Sequence, residues 1–282
     1  MSAALDEVAA ARTALRAIAE ALRAGQAVPY LGPALVAETP SPRTPEALAA
    51  FFGTKVALPR RAKGNVWAAA QHIESYKHRN TVTALMNEAF AAPVPSAPLH
   101  TALAGLNLPL IVESWYDDAM RTALAGRENW GEVQGITRAG IGEDRWFRFY
   151  DATGAASTAE QAAACTTLLY RPHGGVSPAR NYLISDADYV EVLTEIDIQT
   201  PIPEEVRHRR TGRSFVFIGC RFHDQMLRSY ARQIMKRSSA THYALLPDGV
   251  ITRNETRFLA EQGIIPVALP FNDAVSELLS CL

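Results

Sequence analysis

The second half of the chain alternates short, mostly apolar stretches with longer ones whose apolar residues recur every three or four positions, and few architectures accommodate that rhythm. Thr167 to Arg171, Ser214 to Ile218, Thr241 to Leu246 and Ile264 to Leu269 read as strands. Ser185 to Thr194, Asp224 to Lys236, Asn254 to Gln262 and Asp273 to Leu282 read as the helices between and after them. A strand without polar alternation is buried on both faces, and strands joined through helices run parallel by right-handed crossovers. The expected fold class is α/β, a doubly wound, mostly parallel, Rossmann-like sheet covered on both sides.

The first half supplies two more strands and the material around them. Leu5, Val8, Ala11, Leu15, Ile18 and Leu22 mark one helical face that ends at Gly25, and Ala27 to Leu31 then reads as a buried strand running into Gly32. Thr44-Pro45-Glu46 is a helix start after a Pro/Ser loop, Thr39 to Arg43, and Val66 to Tyr76 and Thr81 to Phe90 are two further helices. After the Pro-rich loop Ala92 to Pro98 come a short helix around His100 to Leu103, a second buried strand, Leu108 to Val112, and a helix ending near Gly126. Arg127 to Ala164, Gly- and Ala-rich with the aromatic run Trp146 to Tyr150, reads as an insertion with an extra strand.

At about 150 residues per domain, 282 residues suit one enlarged domain, 1–282, with helical material at 44–90 and an insertion at 127–164. Lys plus Arg number 28 against 29 Asp plus Glu, and this balance argues against nucleic acid as the main partner. The runs Arg207-His208-Arg209-Arg210 and Arg60-Arg61 then read as solvated surface. Cys165, Cys220 and Cys281 are far apart with no C-x-x-C, which excludes a disulfide framework and a four-cysteine zinc site and points to a reducing, cytoplasmic setting. Asp6 and Glu7 precede any apolar run and no stretch approaches the ~20 apolar residues of a membrane span, so neither a signal peptide nor a membrane is expected.

Ligands of parallel sheets sit outside the carboxyl ends of the strands. The residues just beyond Leu31, Val112, Arg171 and Ile218 are therefore decisive. There is no G-x-x-x-x-G-K-[ST] and no G-x-G-x-x-G after a strand, which disfavours a P-loop ATPase and an ordinary dehydrogenase. Instead come Tyr30-Leu31-Gly32-Pro33-Ala34, Ser114-Trp115-Tyr116-Asp117-Asp118, Arg171-Pro172-His173-Gly174-Gly175 and Phe217-Ile218-Gly219-Cys220-Arg221-Phe222-His223-Asp224, in that order. The set resembles the sirtuin-like (silent-information-regulator-like) family, in its compact bacterial branch without a zinc module. The family pattern is G-A-G-x-S, T-N-Y-D-x-L, L-H-G-[ST] and G-Y-S-x-x-D at successive strand ends. The flanking runs His100-Thr101-Ala102-Leu103, Leu183 to Tyr189 and His242 to Pro247 are similar too.

The resemblance implies a pocket for NAD+ or an ADP-ribose-like nucleotide, no zinc, and NAD+ hydrolysis, often in antiphage defence, rather than protein deacylation. It places His173 as the base for a ribose hydroxyl, a job suited to a side chain of pKa near 6.5. It places Asp117 against the nicotinamide carboxamide, and Gly32, Pro33, Ala34, Ser114, Tyr116, Gly219 and Arg221 around the cofactor. Three departures fall on these motifs. Trp115 stands where the family has its asparagine and lacks the paired amide donor and acceptor. The phosphate loop has Ala34 for its second glycine, Val36 for its serine, and Pro33, which has no backbone N–H. Arg221 replaces the G-Y-S serine, either as a fork for phosphate or as a plug paired with Asp117 or Asp224.

Plainer roles compete with each of these. Trp115 and Tyr116 serve equally as core aromatics, Asp224 as a helix N-cap and Cys220 as a small hydrophobe, while His72 and His78 have the wrong spacing for a metal face. Two hypotheses remain. The chain is a nucleotide binder whose NAD+ glycohydrolase chemistry is impaired, or a catalytically silent scaffold that works through a protein partner or as a homo-oligomer.

Overall fold

The computed structural model describes residues 2–36, 39–137, 145–195 and 201–282. Its strands are β1 (Ala27–Leu31), β2 (Leu110–Glu113), β3 (Trp130–Gly135), β4 (Phe147–Asp151), β5 (Ala156–Ser157), β6 (Thr167–Arg171), β7 (Gly174–Gly175), β8 (Asn181–Tyr182), β9 (Ser214–Ile218), β10 (His242–Leu245) and β11 (Ile264–Pro266). Nine of them form one sheet in the order β11-β10-β9-β1-β2-β6-β3-β4-β5, and β7 and β8 form a separate hairpin. Seven neighbours from β11 to β3 run parallel, with β1 in the middle: Tyr30 lies beside Phe217 of β9 and Val112 of β2. The expected α/β class and mostly parallel sheet are what the chain adopts.

Two core layers arise from the period-two alternation of side chains along the central strands. Val28 and Tyr30 of β1 and Phe215 and Phe217 of β9 face one side, where they meet Tyr230 and Ile234 of the helix Gln225–Ile234. Ala27, Leu31, Val216 and Ile218 face the other, under Leu15, Ile18 and Leu22 of the helix Ser2–Arg23 and Leu278 of the helix Phe271–Cys281. Each side chain of this size contributes about 1.5–3 kcal/mol when fully buried. A third cluster is different in kind. The helices Pro45–Lys55, Val66–Lys77 and Arg79–Ala89 bury Leu48, Phe52, Trp67, Ile73 and Met86 against Trp115, Tyr116 and Tyr189, so the helical material expected at 44–90 packs on the residues beyond the strand ends. Thr44 caps the first of these helices by accepting from the Ala47 N–H at 3.0 Å. Among the described residues no helix is long and apolar enough to cross a membrane.

Two regions depart from the sequence reading. Residues 127–164, expected to add one strand, instead carry three with a short helix, Ala159–Ala164; residues 138–144 of this stretch lie outside the described residues. β3 is a full member of the parallel sheet, paired with β6 from Trp130↔Thr167 to Gln134↔Arg171, and β4 and β5 extend it antiparallel. The second departure is in the basic run, of which Arg209 and Arg210 turn inward while His208 stays exposed. It lies on the helix Glu204–Arg210, where Arg209 donates to the carbonyls of Pro109, Ala162 and Cys165, and buried Arg210 to those of Gln233 and Ile234. Apart from Pro109, whose carbonyl precedes β2, these carbonyls lie at helix ends, the negative ends of the helix dipoles.

Candidate functional site

The chain leaves β1 for β2 on one side and later returns to β9 on the other, so the strand order reverses at β1. Crevices form at such switch points, beyond the carboxyl ends of the strands. Here the two turns after β1 and β9 lie directly on one another. A Cβ on Gly32 would stand 2.5 Å from the Gly219 carbonyl oxygen and 2.7 Å from Cys220 Sγ, and Gly219 itself has φ +74°. Only glycines permit that approach. It also uses up the loop's donors: Gly32 N–H goes to Ile218 O at 2.8 Å, Ala34 N–H to Gly219 O and Leu35 N–H to Gly32 O, both at 3.3 Å, while Pro33 has none.

Beside this junction lies a cavity of about 460 Å³. It is lined by Pro33, Ala34, Ser114, Trp115, Tyr116, His173, Gly219 and Arg221, which brings eight of the ten expected site residues together. Gly32 packs beneath Gly219 instead of lining it. Asp117 does not line it either: its Oδ1 accepts from the Ala119 N–H at 2.8 Å, and burial raises its pKa. Lining residues to which no site role was assigned include Tyr30 and Tyr189, which lay in the quoted motifs, and Trp67, with Arg43, Glu46 and His223 among the polar ones. Their faint signal in the sequence is position, with Glu46 at a helix start and His223 within the fourth strand-end motif.

His173 is 3 % exposed and rigidly held. Its Nδ1 is 2.9 Å from the Ser114 carbonyl, and because a carbonyl only accepts, Nδ1 carries the proton. Nε2 is then a bare lone pair, buried and without a partner among the described residues. Burial lowers the imidazole pKa to about 4, against a smaller pull upward from the Ser114 bond. Tyr189 and Tyr230 meet the ring edge-on at 5.4 and 5.1 Å.

The segment that carries Trp115 is fixed from below. Arg171, at the end of β6, is completely buried and faces Asp118 at 2.8 Å, Glu132 at 3.3 Å and Glu113 at 3.4 Å. It also donates to the carbonyls of Tyr116, Asp117 and Ser177. Burial raises the Glu113 pKa and the Arg171 charge pulls it back. Trp115 donates its indole N–H to Pro42 O at 2.9 Å and packs on Phe90 and Tyr116, while the Tyr116 hydroxyl goes to Leu183 O. Both are core aromatics as well as cavity walls.

Arg221 pairs with neither of the acids expected for it. Its Nε and Nη2 form a fork on Glu255, both at 2.9 Å, and Nη2 also reaches Val250 O. Burial alone would raise the Glu255 pKa, but Arg221 and the N–H groups of Thr252 and Phe222 bring it down to about 2. Asp224 caps the next helix through the Met226 N–H at 2.7 Å. Cys220 is buried in the wall with its thiol pushed up to about 12 by burial. Among the described residues no group of three or more His, Cys, Asp or Glu could hold a metal ion.

A family described as a SIR2-like domain matches residues 109–267, more than half of the chain and every strand from β2 to β11. No curated protein matches.

Proposed function

The chain belongs to the SIR2-like domain family, and from that premise we propose that the cavity binds a nucleotide of the NAD+ or ADP-ribose type, with His173 facing the ribose and NAD+ hydrolysis impaired. One observation carries this reading. A buried, cavity-lining histidine has its tautomer fixed and leaves Nε2 unpaired, a free acceptor on the cavity. A nucleotide hydroxyl is the donor that such a lone pair would accept from.

Impairment is supported on three counts. A base of pKa about 4 is neutral over the whole physiological range but accepts a proton with less driving force than one near neutrality. The indole N–H of Trp115 is committed to Pro42 and offers nothing to an attacking water. The N–H groups of Gly32, Ala34 and Leu35 are committed within the protein and Pro33 has none, so the backbone phosphate cradle of the family is lost. The alternative, a silent scaffold with a plugged site, is disfavoured because Arg221 turns to Glu255 and leaves a cavity of about 460 Å³. Catalysis of the deacylase kind finds no support in these residues.

The test is calorimetry with ADP-ribose and NAD+ followed by a nicotinamide-release assay. ADP-ribose binds, release is slow, and His173→Ala removes what release there is while leaving ADP-ribose affinity within a few-fold. Absence of binding of both ligands at millimolar concentration refutes the reading. Rapid release that survives His173→Ala refutes the role of His173.

A further inference from the structure

The nucleotide reading leaves a physical gap: a pyrophosphate needs donors or cations, and the loop that should supply them has none to spare. The cavity contains a substitute. At its polar side Glu46 Oε1 lies 3.0 Å from His223 Nε2, and Thr44, Pro45, Glu46, Arg221 and His223 all line the same space. This contact favours the protonated imidazole: the His223 pKa is raised first by the hydrogen bond to Glu46, and the Glu46 pKa is lowered by the same bond. Its own backbone N–H also helps lower the Glu46 pKa, and Glu46 lies in the field of Arg221. One carboxylate therefore sits on an imidazole nitrogen at a helix start, near a guanidinium, and groups of this kind also suit a phosphate oxygen.

The pair joins elements far apart in the chain, the first turn of Pro45–Lys55 and the turn after β9. It is also open to solvent, with 55 % of the Glu46 side chain exposed and 30 % of His223. Exposed ion pairs contribute little net stability, so exchange of one anion for another costs little. The unpaired Nε2 of buried His173, on the same cavity, independently gives a ligand there a free acceptor.

We propose that His223, with Arg221 nearby, forms the phosphate subsite of this cavity, and that Glu46, at the start of the helix Pro45–Lys55, is a built-in competitor whose carboxylate holds the subsite until a phosphate displaces it. This rests on the nucleotide reading of the cavity and names the groups that replace the lost backbone cradle. Arg221 stays on Glu255 and contributes its charge, and the carboxylate swings outward as the phosphate takes its place on His223.

An internal anion engaged about nine-tenths of the time weakens apparent affinity about tenfold. Glu46→Gln keeps the shape and removes the charge, so ADP-ribose binding by calorimetry should tighten about tenfold, whereas adenosine, which has no phosphate, should bind as it does to the wild type. His223→Gln should weaken ADP-ribose by a similar factor, again sparing adenosine. Thermal unfolding of both variants near the wild-type temperature verifies folding. Unchanged or weaker ADP-ribose binding in Glu46→Gln, or equal changes for ADP-ribose and adenosine, overturns the subsite while the nucleotide reading stands. Failure of wild type and both variants to bind ADP-ribose overturns the nucleotide reading, and the subsite with it.

Discussion

Replacing Arg171 by methionine tests whether the buried charge cluster beneath the cavity holds the strand ends in place. Methionine fills much of the arginine stem, so the change is one of charge and donors more than of volume. Glu113, Asp118 and Glu132 lose their shared counter-ion, and the carbonyls of Tyr116, Asp117 and Ser177 lose a donor. Arg121 remains on Glu132 and limits the damage. Removal of one partner from a buried ion pair costs about 3–5 kcal/mol. At about 2.1 cal/mol/K of unfolding entropy per residue, a chain of this length moves about 1.7 °C per kcal/mol, so the melting temperature should fall by about 5–8 °C.

The deficit should also depend on pH. Burial raises the folded pKa values of Glu113 and Asp117, so the unfolded state loses its protons first and stability declines as pH rises through the window above ordinary carboxylate values. Without Arg171 the window extends upward, and calorimetric scans should find a larger deficit at about pH 8 than at about pH 5. A drop under about 1 °C, or one equal at both pH values, refutes the reasoning, because the cluster would then be no better than an apolar core.

Three further outcomes are expected from other parts of the structure. Gly32→Ala drives a Cβ to 2.5 Å from the Gly219 carbonyl, and such overpacking should cost about 1–3 kcal/mol in denaturant unfolding and abolish ADP-ribose binding as the two turns separate. Trp115→Asn restores the family's asparagine yet removes a core aromatic, so a loss of about 3–5 kcal/mol without faster nicotinamide release is expected; faster release would mean that His173 is a competent base already. His100, His173 and His242 all have pKa values lowered by burial to about 4 from 6.5. The unfolded chain binds protons first, so stability should fall as pH drops from about 6.5 to about 4, and a melting temperature flat across that range would contradict their burial as neutral rings.

Legibility in the sequence tracked the range of the forces involved. β1, β6 and β9 have the bounds that their apolar runs suggest, because burial on both faces writes itself into consecutive residues. β3 was hidden by Glu132 and Gln134, polar residues that are fully buried only because Arg121, Arg171 and Ser177 supply partners from elsewhere. The strand-end motifs brought most of the cavity's residues to one edge, yet the partners of Arg221 and His223 were unreadable. Glu255 and Glu46 reach them from distant segments, and Glu255 had a local role of its own as part of the capping box with Thr252. Arg209 and Arg210 misled in the same way, since nothing in a run of basic residues says that helix ends will come to meet it.

The two rims of the large sheet bear on how this chain behaves in a crowd. One rim is β5, two residues long, and the other is β11, three residues long and closed by Pro266, which has no N–H to lend. A rim this short offers a neighbouring chain almost no ladder to extend, and proline at an edge discourages the attempt. Wide parallel sheets expose long unpaired borders while they assemble, and here the hazard shrinks to a few residues once the outermost strands dock. Among the described residues, then, the rims of the large sheet offer copies of this chain little to stitch together.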